Sequence, residues 1–180
     1  MRNIIAYLIG LVILVSCANA SVNPPAPTEM DHGGHSMDAP VTSDLTYIDG
    51  MIVHHQGAIN MAREALAQAE SDNVKQLATQ IINAQEAEVM QLNVWRESWY
   101  PDAPATDVSM MDMGSMQVAA GDGSYDDRWV QAMIVHHQAA IDMSGQLLKV
   151  GEHSELVSFA EAVITAQTAE IKQMQEWLNK

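Results

Sequence analysis

From Leu45 onward the apolar positions advance in alternating steps of three and four: Ile48, Ile52, Ile59, Ala62, Leu66 and Ala69 hold one stripe, with His55 falling on it. That step matches a helix of about 3.6 residues per turn and predicts one long amphipathic helix from Leu45 to Ala69. Ser71, Asp72 and Asn73 then supply a turn and an N-cap, because short polar side chains bond to nearby backbone and favour helix ends. Beyond them Val74, Ala78, Ile81, Gln85, Glu88, Leu92 and Trp95 trace a second stripe of the same period. Two such helices joined by so short a connection form an antiparallel hairpin.

The whole pattern then returns. Met51-Ile52-Val53-His54-His55-Gln56 recurs as Met133-Ile134-Val135-His136-His137-Gln138, 82 positions later. At the same offset Ala58, Ile59, Met61 and Leu66 become Ala140, Ile141, Met143 and Leu148, and Gln85, Glu88 and Trp95 become Gln167, Glu170 and Trp177. No insertion interrupts the correspondence, so the chain is a duplicated unit whose chemistry should be sought in what both copies keep. The second copy adds Ser124 and Asp127 as a capping box, Gly151 as a stop, and a last stripe of Leu156, Ala160, Val163, Gln167, Glu170, Met174 and Trp177. The predicted fold is all-α: a four-helix bundle over residues 43–180, built from hairpins 44–99 and 125–180 with a linker at 100–124.

The N-terminal residues read differently. Arg2 precedes an apolar run from Ile4 to Val15, too short for the roughly 20 residues a membrane span needs but suited to a secretory signal within residues 1–20. Leu14-Val15-Ser16-Cys17 resembles the lipobox of bacterial lipoproteins, which would lipidate Cys17 and anchor the exported protein to the periplasmic membrane surface. Cleavage after Ala18-Asn19-Ala20 is the alternative. Cys17 is the single cysteine, so disulfides and thiolate metal sites are excluded from the folded part. Residues 21–42 are rich in Pro, Ser, Thr, Asp and Gly and predict a disordered tether.

Composition narrows the partners. Lys and Arg number 8 against 23 Asp and Glu, a net charge of −15, which excludes nucleic acid and favours cations. Thirteen methionines beside one phenylalanine are too many for gap-filling alone. Met30, His32, His35 and Met37 lie in the tether, and Met110, Met111, Met113 and Met116 in the linker; thioethers and imidazoles in solvated segments suit flexible capture of a metal. Within the helices, His55 and Glu88 stand almost equally far from the Ser71 turn, as His137 and Glu170 do from His153, so each pair should lie side by side on the seam. His54 shares a neighbouring flank stripe with Met51 and Met61, and His136 with Met133 and Met143.

Imidazole with thioether suits copper, since soft sulfur favours Cu(I) while imidazole binds both oxidation states. Glu88, Glu170, Gln85, Gln167 and Met174 would then orient ligands or add a second set. Zinc gains little from thioethers, and calcium or magnesium would want oxygen. The competing reading is a hydrogen-bonded His–Glu layer that fixes register in a structural envelope lipoprotein.

Asp44-x-x-Tyr47-x-x-x-Met51-x-x-His54-His55-x-x-Ala58-Ile59-x-Met61-Ala62, followed by Gln85-x-x-Glu88, resembles the bacterial family called domain of unknown function 305, and the second copy resembles it from Asp126 to Met174. The resemblance implies a ferritin-like bundle, export, and binding of copper, or of silver, in support of copper tolerance, alone or with copper-handling partner proteins. Leu92 departs from it where the second copy has Met174, with Met90 as a candidate substitute. The ferritin-like label also raises a metal-dependent redox enzyme, but Glu-x-x-His occurs in neither hairpin, and a non-enzymatic role is expected.

Overall fold

The computed structural model describes residues 40–179. Four helices follow in order, α1 (Asp44–Gln68), α2 (Asp72–Trp99), α3 (Tyr125–Val150) and α4 (Ser154–Leu178), with no strand among the described residues. The chain is therefore the all-α bundle of two hairpins that its periodicity predicts. None of these helices is long and apolar enough to cross a membrane.

The hairpins meet through α1 and α3, with α2 packed on the first and α4 on the second. Cross-contacts fix the direction. The Tyr47 hydroxyl lies 2.9 Å from Ser144 Oγ, Trp129 Nε1 donates to the Met61 carbonyl at 3.0 Å, and His54 faces His136 between them. Early α1 thus lies beside late α3, so the two are antiparallel and related by a pseudo-twofold axis at the histidines.

This arrangement explains why α1 and α3 carry two apolar stripes each and α2 and α4 only one. On α1 the stripe through Ile48, His55, Ile59 and Ala62 meets α2, while Tyr47, Met51, His54, Ala58 and Met61 meet α3. On α2 burial is confined to the single line from Val74 to Leu92, and on α4 to that from Leu156 to Met174. The stripe that a lone hairpin would leave on its flank becomes the interior once the halves join.

The ends are tied across the halves as well. The Asp126 carboxylate accepts from the N–H groups of Glu70 and Ser71 at 3.0 and 2.7 Å, and its equivalent Asp44 accepts from Glu152 and His153 at 3.0 and 2.9 Å. Ser71 occupies the N-cap position of α2, but its side chain makes no capping bond; the carboxylate from the other hairpin holds that turn. Ser124 does cap α3, accepting from Asp127 N at 3.0 Å. Gly151 ends α3 with φ of −65°, so it is required for space: a Cβ there would meet Val157 Cγ2 at 2.8 Å.

Asp44 is the more deeply placed carboxylate, 2% exposed, and also bonds His153 Nδ1 at 2.6 Å. Bonds to a charged acceptor contribute about 1.5–3 kcal/mol each, and a buried donor left alone adds its desolvation cost. Asp44→Ala should therefore destabilise the fold by about 3 kcal/mol or more and Asp126→Ala by about 2 kcal/mol. Urea unfolding of both variants tests this, and equal or negligible losses would show that the carboxylates do not hold the turns.

Candidate metal centre

The four histidines of the duplicated doublets are all fully buried at the centre of the molecule. His54 and His136 meet directly across the axis, ring centroids 3.7 Å apart. Their contacts are reciprocal: His54 Nε2 lies 3.0 Å from the His136 carbonyl and His136 Nε2 lies 3.1 Å from the His54 carbonyl. The expected placement of this pair on a helix flank is thereby corrected, because α3 covers that side of α1.

Those two bonds settle where the protons sit. A carbonyl oxygen only accepts, so each Nε2 must carry the hydrogen. Burial first, then the neighbouring imidazoles, hold His54 well below its ordinary range and bring His136 down from 6.5 to about 3. Both rings are therefore neutral near pH 7, and a neutral ring with its proton on Nε2 keeps a bare lone pair on Nδ1. Neither Nδ1 has a partner among the described residues, although both are buried.

The seam histidines find the carboxylates that the helix count places beside them. His137 Nε2 donates to Glu170 Oε2 at 2.6 Å. His55 Nε2 lies 2.8 Å from Glu88 Oε2, close enough for an ion pair but not aligned as a hydrogen bond, which leaves that nitrogen unpartnered by geometry. Both carboxylates reach partly into solvent while their rings are buried. Gln85 and Gln167 are buried in the same layer, each with Oε1 unpartnered, and so are the Nδ1 atoms of His55 and His137. An unsatisfied buried polar atom costs about 1–3 kcal/mol. Seven such atoms lie at the centre among the described residues: the Nδ1 atoms of all four histidines, the Oε1 atoms of Gln85 and Gln167, and His55 Nε2.

The methionines redistribute across the copies. Because α1 and α3 run in opposite directions, Met51 joins the core cluster of Met143 and Leu92, and Met61 joins that of Met133 and Met174. Each histidine still shares its helix stripe with two methionines, but the two ends of the core each draw one of these methionines from either copy. Among the described residues no three His, Cys, Asp or Glu side chains converge as a closed cation site requires. A metal here would draw on sulfur as well as imidazole.

The linker is also unlike its predicted state. Met110 is well exposed, at 62%, but Met111 is 7% exposed, Met113 packs on the core, and Met116, partly exposed, lies against α1. Two glycines of α1 receive these side chains. A Cβ on Gly50 would lie 2.9 Å from the Met111 sulfur, and one on Gly57 would lie 2.7 Å from the Met116 sulfur and 3.2 Å from His136 Nε2. The linker backbone itself lies on α3 at Gly114, whose φ of 59° and 2.5 Å approach of a would-be Cβ to the Val135 carbonyl demand glycine. Neither Gly50 nor Gly57 is evident from periodicity, but both are marked by a difference between copies, which carry Ala132 and Ala139 there. Met30, His32, His35, Met37 and Cys17 lie outside the described residues.

The family described as domain of unknown function (DUF305) matches residues 44–178. The chain belongs to that family. Among solved structures, CopM in its Cu(II)-bound form is 36% identical, with a TM-score of 0.64, covering 75% of this chain and 96% of CopM. CopM in its Cu(I)-bound form gives 32% identity and a TM-score of 0.63 over 76% of this chain and 95% of that one, and silver-bound forms of CopM match as well. A DUF305 fragment from Deinococcus radiodurans shares the fold at 22% identity and a TM-score of 0.65, covering 79% of this chain and 98% of that one. An uncharacterized protein of Acanthamoeba polyphaga mimivirus is 40% identical over 50 residues, 28% of this chain and 33% of its own length.

The neutral, buried pair makes the DUF305 bundle acid-sensitive with a definite sign. Its depressed folded values mean the unfolded chain binds protons first, so stability is complete above about pH 6.5 and is lost progressively as pH falls, in the case of His136 towards about 3. For each ring, every tenfold weakening of proton affinity on folding corresponds to about 1.4 kcal/mol. Thermal melts of metal-free protein between about pH 7 and about pH 4 should show a steep fall, and the double variant His54→Gln/His136→Gln should flatten it; an unchanged slope would place the acid-sensitive groups elsewhere.

Proposed function

We propose that this DUF305 protein binds copper as cargo and sequesters it or passes it on, without catalysis. The observation that carries the reading is the crossing of α1 and α3, where two buried imidazoles present bare Nδ1 lone pairs beside methionine-lined core. A neutral nitrogen held in one tautomer by a backbone carbonyl is the arrangement that orients metal-binding histidines elsewhere. Thioether and imidazole together select the copper group, with Cu(I) and Ag(I) favoured by sulfur and Cu(II) served by the His–Glu pairs at the seam. That CopM, similar over nearly its whole length, is known in Cu(I)-, Cu(II)- and silver-bound forms supports the same cargo here.

In this reading His54 and His136 hold the metal and His55 and His137 carry a second imidazole set whose orientation Glu88 and Glu170 govern. Gln85 and Gln167 border both. The leader from Arg2 to Val15 and the lipobox at Cys17 support work outside the cytoplasm at a membrane surface. A net charge of −15 draws cations to the surface before any specific contact.

Paired variants separate the two imidazole sets. Against a chromogenic Cu(I) chelator, His54→Ala/His136→Ala should lose a tight component, while His55→Ala/His137→Ala should weaken it and chiefly lower Cu(II) uptake. Replacing all four should remove the imidazole-held metal from a chain whose helical circular dichroism confirms that it is folded. Cu(I) and Cu(II) uptake unaffected by the fourfold change would remove the histidines from the cargo site.

A further inference from the structure

The two ends of the core are matched in sulfur by unmatched means. At one end Met61, Met133 and Met174 are buried in a single cluster, contributed by α1, α3 and α4. By duplication the other end should hold Met143, Met51 and the counterpart of Met174. That counterpart is Leu92, which is fully buried and carries no sulfur. Met90, two residues away, cannot replace it, since it is 64% exposed on the outer side of α2.

The linker brings a third sulfur to that end. Met111 is buried in the same cluster as Met51, Met143 and Leu92. Its sulfur and that of Met143 lie 2.9 and 3.9 Å from the point a Gly50 Cβ would occupy, so both flank one spot on α1. Glycine at that spot is what admits Met111: a methyl group would sit 2.8 Å from its Cε. The other half needs no such opening and has Ala132. Two departures from the repeat, leucine for methionine at 92 and glycine for alanine at 50, are thus parts of one exchange.

The linker sequence supports a donor role for its methionines. Met111-Asp112-Met113-Gly114-Ser115-Met116 has the pattern of Met30-Asp31-His32-Gly33-Gly34-His35. Methionine stands first in both, and the later methionines exchange with histidine. Those side chains differ in shape and polarity and have metal ligation in common.

We propose that Met111 supplies, from the linker, the thioether that Met174 supplies from α4, so that each end of the core offers three buried sulfurs to a soft monovalent cation such as Cu(I) or Ag(I). This rests on the copper reading above and adds a ligand, a stoichiometry and a reason for the asymmetry. The linker acts as a strap whose seating on Gly50 completes the site.

Titration of the full mature chain with Cu(I) against bicinchoninate, and separately with Ag(I), tests it. Met111→Leu should bind one tight equivalent fewer than the unaltered protein, and Gly50→Ala should do the same by expelling Met111. Adding Leu92→Met to Met111→Leu should restore the lost equivalent, because it rebuilds the arrangement of the other end. With methyl-labelled methionine, the Met111 signal should shift on Ag(I) addition and in register with Met51 and Met143. Unchanged stoichiometry in Met111→Leu, or no recovery on adding Leu92→Met, would overturn the proposal while leaving the histidine centre intact. Failure of the unaltered protein to bind Cu(I) at all would instead overturn the copper reading itself.

Discussion

The crossing of α1 and α3 is the constraint on which the molecule depends. Imidazole rings 3.7 Å apart, each bonded to the backbone of the opposite helix, require the two helices to approach closely. Small residues permit it: Gly57, Ala58, Ala139 and Ala140 lie on or next to that line. Because the carbonyls take the Nε2 protons, the Nδ1 lone pairs are left bare, and because both helices bury this face, nothing else among the described residues reaches them. The packing of the halves and the chemistry of the site are the same contact seen twice.

Duplication makes that contact self-consistent. One surface serves both sides, as in an isologous dimer, so each favourable residue acts twice. The antiparallel crossing then mixes the copies: Asp126 holds the first hairpin's turn, Asp44 the second's, and each core cluster draws methionine from both. A single hairpin would carry an uncovered apolar face and only part of each cluster, which is the general condition of an isolated repeat.

The helices, the hairpins and the pairing of His55 with Glu88 were legible in the sequence because they depend on period and on counting from a turn. The partner of His54 was not, since local periodicity ranks a residue against its own hairpin and says nothing about which second helix covers the opposite stripe. For the same reason the linker methionines read as solvated: composition describes a segment's average, whereas Met111 is buried through one missing Cβ at Gly50. The useful signals were the places where the copies disagree. Gly50 against Ala132 and Gly57 against Ala139 touch the one element that a tandem duplication cannot supply symmetrically, the linker itself, and Leu92 against Met174 falls in the cluster that the linker's Met111 joins.

Charge gives the proposed cargo its sharpest physical selection. The self-energy of an ion taken out of water rises with the square of its charge, so a buried site of neutral donors opposes a divalent ion far more than a monovalent one. His54, His136 and the clustered methionines are such neutral donors, buried in the interior. Glu88 and Glu170 are different: they are 28% and 23% exposed and lie against His55 and His137 at the margin of the interior. A divalent ion is better accommodated there, where carboxylate and water both reach it. In the copper reading, one histidine of each doublet would then face neutral donors and the other a carboxylate, and the oxidation state of the metal would favour one over the other.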